Sequence, residues 1–195
     1  MRRGKIYLAF LVLAVIAASP AHSTQMALNQ APNITINQLL PEEDAAPADL
    51  THVKAASIQV IKSERRLDLL DKAGRTIRSY KVSLGFTPDG PKVKEGDGRT
   101  PEGRYYIDKR NEKSKFFRSL HISYPNPSDV QRARSLGAST GGSIFIHGKP
   151  NNKSGLWFRR AQRQDWTNGC IAVSDDEMKE IWNVVQDGTP IIIKP

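Results

Sequence analysis

The 195-residue sequence is poor in the residues that build metal and redox sites, with a single cysteine, Cys170, and four histidines. One cysteine excludes an intramolecular disulfide framework, an iron–sulfur cluster and a cysteine-rich zinc site within one chain. Acidic residues are also few, 20 against 29 basic ones, which gives a formal net charge of +9. Because 38% of the residues are hydrophobic and only 25% are charged, the composition predicts a packed core and argues against global disorder.

The first 23 residues have the pattern of a secretory signal peptide. A basic start precedes an uncharged, mostly apolar run over residues 6–18, and small residues, Ala21 and Ser23, follow. This order predicts cleavage before Thr24, with retention of the segment as a membrane anchor as the alternative. No second apolar run is long enough to span a bilayer. We therefore expect an exported protein of the periplasm or cell envelope, which argues against nucleic acid as the partner of the basic domain.

Residues 24–56 are predicted to form a flexible tether, because they combine proline, amide side chains and an acidic cluster with little apolar periodicity. Residues 57–195 are predicted to form the catalytic domain. In this domain, turn-forming residues separate short apolar or alternating segments, which is typical of a β-rich fold. We predict strands over residues 57–62, 66–70, 77–84, 105–108, 121–124, 143–146, 171–173 and 189–194. A long loop rich in glycine and proline covers residues 85–103, and such loops are often functional.

Two helices are predicted in the same domain. The first is predicted over residues 128–136, with Ser128 as its N-cap and Gly137 ending it. Residues 175–185 follow Ser174, and Glu177 stands where a capping box requires it. The apolar side chains of this second helix recur at helical spacing, which predicts that one face packs on the core.

Two short segments could carry chemistry. His147 ends an apolar strand and is followed by Gly148, while the turn Asn168-Gly169 presents Cys170 at the start of an apolar run. A nucleophile on a sharp turn has exposed sulfur and neighbouring backbone N–H groups that can bind an oxyanion. A nearby imidazole is the usual means of raising the thiolate fraction of such a thiol. The residues favour a Cys/His acyl-transfer pair, with two unrelated core residues as the alternative.

Three motifs together resemble the L,D-transpeptidase family, also called the YkuD domain, over residues 57–195. They are Gly-Asp-Gly-Arg-Thr-Pro-Glu-Gly at 96–103, Ile146-His147-Gly148, and Thr167-Asn168-Gly169-Cys170. The resemblance implies a mixed β/α fold, a β-sandwich-like sheet with a flanking helix. It also implies that Cys170 is the nucleophile, that His147 is its base, and that a backbone carbonyl, here that of Gly148, holds the other imidazole nitrogen.

The reaction implied by this resemblance is a two-step acyl transfer on peptidoglycan, without metal or organic cofactor. Cys170 attacks the carbonyl that follows the L-centre of diaminopimelate in a tetrapeptide stem and expels the terminal D-Ala. An amine then resolves the acyl-enzyme, from another stem peptide or from an envelope lipoprotein. Contact with a membrane is expected only if the signal segment is retained.

The sequence departs from the family pattern at two positions. Asn168 stands where many members have histidine, so it can orient a group or bind an oxyanion, together with Gly148 and Gly169, but cannot carry a proton. Ala172 stands where many members have arginine, so the stem carboxylate must be bound elsewhere or not at all. The substrate contacts that we consider are Arg99, Thr167, Lys149 and Trp166.

Several alternatives remain open from the sequence. An L,D-carboxypeptidase or amidase would use the same Cys/His pair with water as acceptor, and a cell-wall binding module would need no reactive thiol. His121, in an apolar strand, is either a structural histidine or a substrate contact. A basic cluster between the two motifs is either a solvated face or a lid that attracts anionic cell-wall peptide; it comprises Lys149, Lys153, Arg159, Arg160 and Arg163.

Overall fold

The computed structural model describes residues 53–195, so the predicted signal peptide and residues 24–52 of the predicted tether lie outside the described residues. Within this part of the chain the strands are β1 (Ser57–Ile61), β2 (Arg66–Leu70), β3 (Thr76–Lys81), β4 (Gly103–Ser114), β5 (Phe117–Ile122), β6 (Phe145–His147), β7 (Ile171–Ala172) and β8 (Pro190–Lys194). The helices are α1 (Pro127–Ser135), α2 (Gly155–Ala161) and α3 (Asp175–Val184).

The eight strands form one curled sheet in the order β3-β2-β1-β8-β4-β5-β6-β7. The pairs β1–β8 and β6–β7 are parallel, whereas the other neighbouring strands pair in antiparallel fashion. The mixed β/α fold class implied by the family resemblance is therefore confirmed. Since β6 and β7 end the sheet on one side, the segments that contain His147 and Cys170 lie on neighbouring strands.

Helix α3 packs on the core, as its apolar spacing predicts. Its side chains Met178, Ile181 and Val184 are fully buried in the main hydrophobic cluster. Ser174 and Glu177 form the predicted capping box, in which each side chain accepts a hydrogen bond from the other residue's backbone N–H. The helix thereby fixes the chain directly after β7.

The other two helices differ from the prediction. Helix α1 begins at Pro127, and its N-cap is Asn126, whose side chain accepts a hydrogen bond from the backbone N–H of Asp129. Proline suits the first helical position because the N–H it lacks would have no partner there, so Ser128 lies inside the helix. Helix α2 was not predicted, because it is short and begins with glycine.

Strand β4 extends to Ser114, well beyond the predicted residues 105–108, and β5 covers Phe117–Ile122 rather than 121–124. The outer half of β4 is polar and mostly exposed, so it shows no alternation of apolar and polar residues. Pairing with β5 makes it a strand. The hairpin carries His121 on its second strand.

The last two residues of the predicted tether are hydrogen-bonded to the domain. The backbone N–H of Ala55 donates to the carbonyl of Val184, and that of Ala56 donates to the carbonyl of Leu70. The ordered contacts of the domain thus include residues before β1. Among the helices within residues 53–195, none is long and apolar enough to cross a membrane.

Candidate active site

Parallel pairing of β6 and β7 places Cys170 and His147 on the same face of the sheet. The register sets Ile146 opposite Ile171 and His147 opposite Ala172. Ile146 and Ile171 are fully buried in the core. Because side chains alternate along a strand, the residues on either side of these isoleucines point to the other face. The nucleophile and base that the sequence predicts therefore share one surface, on adjacent strands.

A tight turn presents Cys170 at the start of β7. The hydroxyl of Thr167 donates to the carbonyl of Cys170 over 2.7 Å and accepts from the N–H of Gly169 over 3.1 Å. Gly169 has a φ of +121°, and a β-carbon there would lie 2.6 Å from the carbonyl oxygen of Arg99. Glycine is therefore required at position 169. Thr167, considered as a substrate contact, is buried and shapes the turn.

The start of this turn is anchored by Asp165, which the sequence did not single out. One carboxylate oxygen accepts from the backbone N–H of Leu84 at 2.9 Å. The other accepts from the guanidinium of Arg65, at 2.8 Å from Nη2 and 3.2 Å from Nε. Because these partners lie far apart in sequence, no local signal could have revealed the contact.

His147 is buried, with 3% of its surface exposed, and its tautomer is fixed. Its Nδ1 lies 2.7 Å from the carbonyl oxygen of Gly148, the carbonyl expected from the family resemblance. A carbonyl can only accept, so Nδ1 carries the hydrogen and Nε2 keeps its lone pair. Burial lowers the pKa of His147 to about 4, and the imidazole is therefore neutral at physiological pH.

The thiol of Cys170 is half-buried, and desolvation raises its pKa, although a backbone hydrogen bond from Phe145 and the charge of Lys92 oppose this shift. Sγ lies 3.6 Å from the carbonyl oxygen of Ser143. No hydrogen bond joins it to His147 among the contacts of residues 53–195. The expected increase of the thiolate fraction by imidazole thus does not describe the resting pair, which is neutral thiol beside neutral imidazole.

The three residues considered for orienting or binding an oxyanion differ in what they still offer. The N–H of Gly148 donates to the carbonyl of Phe116 at 3.1 Å, and that of Gly169 is bound by Thr167. The side chain of Asn168 is exposed and makes no hydrogen bond within the described part of the chain. Of these groups, the Asn168 amide alone has donors that no acceptor among residues 53–195 engages.

The remaining predicted substrate contacts are Arg99, Lys149 and Trp166. The Arg99 side chain is half-buried and forms no ion pair or hydrogen bond within residues 53–195. Lys149 pairs with Asp175 at 3.0 Å, which neutralises its charge. Trp166 meets the His147 ring edge-on, with centroids 5.9 Å apart, and its buried Nε1 has no hydrogen-bond partner among residues 53–195.

Helix α2 carries Arg159 and Arg160 of the basic cluster. Its aromatic residues Trp157 and Phe158 contact the Trp166 ring edge-on, at centroid distances of 5.3 and 6.5 Å. Arg159, Arg160 and Arg163 are exposed. The helix is thus attached to the site through Trp166, with its basic side chains at the surface.

His121 also lies on the face that carries Cys170. Its Nδ1 is 2.6 Å from Oδ1 of Asp108, and its ring meets that of Phe145 edge-on at 4.9 Å. The sequence singles out His121 without its partner, because Asp108 lies on the other strand of the β4–β5 hairpin and is not its neighbour along the chain. The pair places a second imidazole near the site.

Comparison with known proteins identifies relatives of this chain. A family model, YkuD, described as the L,D-transpeptidase catalytic domain, matches residues 55–193. A protein of Escherichia coli strain K12 named "Putative L,D-transpeptidase YafK" is 35% identical over 96 residues, which are 47% of this chain and 37% of that protein.

Two solved structures share the fold. The helical cell shape determining protein Pgp2 of Campylobacter jejuni superposes with a TM-score of 0.57 at 25% identity, over 74% of this chain and 49% of Pgp2. Bd1075 of Bdellovibrio bacteriovorus gives a TM-score of 0.50 at 24% identity, over 70% of this chain and 46% of Bd1075. The chain thus spans half or less of the length of each of these relatives.

Proposed function

Since this chain belongs to the L,D-transpeptidase family of YkuD catalytic domains, we propose that it is a peptidoglycan L,D-transpeptidase that acts through a Cys170 acyl-enzyme. The observation that carries the proposal is the placement of Cys170 and His147 on one face of β6 and β7. The hydrogen bond from His147 Nδ1 to Gly148 adds to it, because it leaves Nε2 as the basic nitrogen. A thiol and a base in this relation suit acyl transfer.

In the first half-reaction, Sγ of Cys170 attacks the carbonyl after the L-centre of diaminopimelate in a tetrapeptide stem. Because burial keeps the resting thiol protonated and the imidazole neutral, the proton moves to Nε2 of His147 as the C–S bond forms. His147 then gives this proton to the nitrogen of the leaving D-Ala, and the C–N bond breaks. The product is a thioester on Cys170.

We assign the charges on the substrate to groups that have no side-chain partner in the described part of the chain. The free amide of Asn168 is the donor that we assign to the oxyanion, because the N–H groups of Gly148 and Gly169 are engaged. Arg99 is the cation that we assign to a stem carboxylate, since Lys149 is already paired with Asp175. Trp166 lines the His147 side of the site.

We also propose the cellular location of the enzyme and the source of its acceptor amine. The predicted signal peptide supports export to the periplasm or cell envelope, where peptidoglycan stems are available. Another stem peptide, or an envelope lipoprotein, supplies the acceptor amine. The similarity to Pgp2, named as a helical cell shape determining protein, supports a role in cell-wall structure and cell shape.

Purified muropeptides, incubated with the protein and analysed by mass spectrometry, test this function. We expect new cross-links or exchange of the terminal D-amino acid, and we expect a Cys170→Ala variant to yield neither. Loss of D-Ala alone would indicate a carboxypeptidase. A wild-type protein that leaves muropeptides unchanged and forms no covalent adduct with a carbapenem would refute the proposal in favour of a binding module.

A further inference from the structure

The pair His121–Asp108 is a titratable group that the mechanism above does not use. The imidazole Nδ1 lies 2.6 Å from the Asp108 carboxylate. Since an ionised carboxylate only accepts, Nδ1 carries the hydrogen and Nε2 is a basic nitrogen. The two side chains are thus arranged as a carboxylate-supported base.

The strand register sets this base in line with the nucleophile. His121 on β5 pairs with Phe145 on β6, and the β6–β7 register places Phe145 beside Cys170. All three side chains point to the same face, because paired residues on neighbouring strands do so. Two strand spacings separate the main chains of His121 and Cys170, about 10 Å. A substrate on this face can bridge that distance.

Stability alone gives little reason for this pair. The side chains of His121 and Asp108 are 24% and 46% exposed, and ion pairs at such positions contribute about 0–1 kcal/mol. The charged groups beside His121 are Asp108 and Lys109 on β4. The uncharged thiol of Cys170 and the uncharged imidazole of His147 lie beyond Phe145. The exposure leaves Nε2 accessible from the surface on which Cys170 lies.

We propose that His121 and Asp108 form the site for the acceptor amine in the second half-reaction. This inference rests on the acyl-enzyme function proposed above. The acceptor arrives as an ammonium ion and loses one proton to Nε2 of His121, which later releases it to solvent. The neutral nitrogen then attacks the thioester carbonyl, so that a C–N bond forms and the C–S bond breaks. The second proton of the nitrogen passes through His147 to the Cys170 thiolate.

Partitioning of the acyl-enzyme tests the proposal. The full chain is given a tetrapeptide muropeptide as donor and glycine as the amine, and mass spectrometry measures aminolysis against hydrolysis. For His121→Gln and Asp108→Asn we expect aminolysis to fall at least tenfold, because a general base contributes about 10²–10⁴-fold. Acylation of Cys170 by a carbapenem, which needs no acceptor, is expected to stay within twofold of wild type.

Glu112→Gln is the matched control. This substitution removes a carboxylate that also lies on β4 and pairs with Arg118 on β5 at 3.3 Å. Aminolysis by this variant should be unchanged. Unaltered aminolysis in both test variants, a parallel loss of acylation, or a wild-type enzyme that transfers only to water would overturn the inference. If His121→Gln fails to acylate, the ratio of aminolysis to hydrolysis in Asp108→Asn decides whether the inference holds. Failure of the wild type to acylate would refute the proposed function itself.

Discussion

The Nδ1 of His147 donates to the carbonyl oxygen of Gly148 over 2.7 Å, and this contact sets the direction of proton transfer in the site. A carboxylate in the same place would stabilise an imidazolium ion, whereas a neutral carbonyl orients the ring with a much smaller effect on its charge. Burial then keeps the imidazole neutral. His147 is thus prepared to accept a proton during attack rather than to hold one beforehand.

His147→Ala and Asn168→Ala should both slow the acylation of Cys170, the first by removing a base and the second by removing a hydrogen-bond donor. Removing the base should lower the rate of Cys170 acylation about 10²–10⁴-fold. Removing the exposed Asn168 amide takes away the neutral donor that we assign to the oxyanion, and it should lower the rate by about 10²–10³-fold. Stopped-flow acylation by a carbapenem measures both. A His147→Ala protein as fast as wild type would make His147 structural.

Burial of His147 should also make stability depend on pH. Its pKa is lowered from 6.5 to about 4 in the folded protein, so the unfolded chain binds more protons between these values. Stability therefore falls as the pH drops from about 6.5 towards 4, by on the order of 3 kcal/mol from this group. Urea denaturation at several pH values measures the slope, and His147→Gln should flatten it. An equal slope in the variant would contradict the assignment.

The parts of the site that the sequence predicted are those encoded within a few residues. The Asn168-Gly169 turn before Cys170 and the Ser174–Glu177 capping box depend on local backbone geometry, which short motifs specify. The contact of Arg65 with Asp165 depends on how the sheet curls, and no local pattern encodes that. The outer half of β4 was missed for a similar reason, because its strand state comes from pairing with β5.

Gly169→Ala should disable the turn that presents Cys170. A β-carbon there would meet the backbone oxygen of Arg99 at 2.6 Å, at a φ of +121°, and a backbone atom cannot move aside as a flexible side chain can. We expect acylation to fall at least tenfold. Gly142→Ala is the control, because a β-carbon at that position has nothing within 4 Å and needs no positive φ. Equal acylation rates in the two variants would refute the packing argument.

Asp165→Asn should weaken the anchor of the same turn. The amide oxygen can still accept from the Leu84 N–H, but the charge opposite Arg65 is lost. Because Asp165 is only 13% exposed and Arg65 33%, the pair is partly shielded from water. We expect a loss of about 1.5–2 kcal/mol in the free energy of unfolding, at the lower end of the range for a lost hydrogen bond to a charged group.

The same variant should also acylate more slowly, because the carboxylate holds the residue at which the Cys170 turn begins. The matched control is Glu64→Gln, which removes the carboxylate of the exposed Arg66–Glu64 pair at the β1–β2 turn and should change stability by less than about 1 kcal/mol. Urea denaturation and carbapenem acylation at 25 °C measure the two effects. If Asp165→Asn loses stability but acylates at the wild-type rate while folded, the anchor stabilises the fold without positioning Cys170.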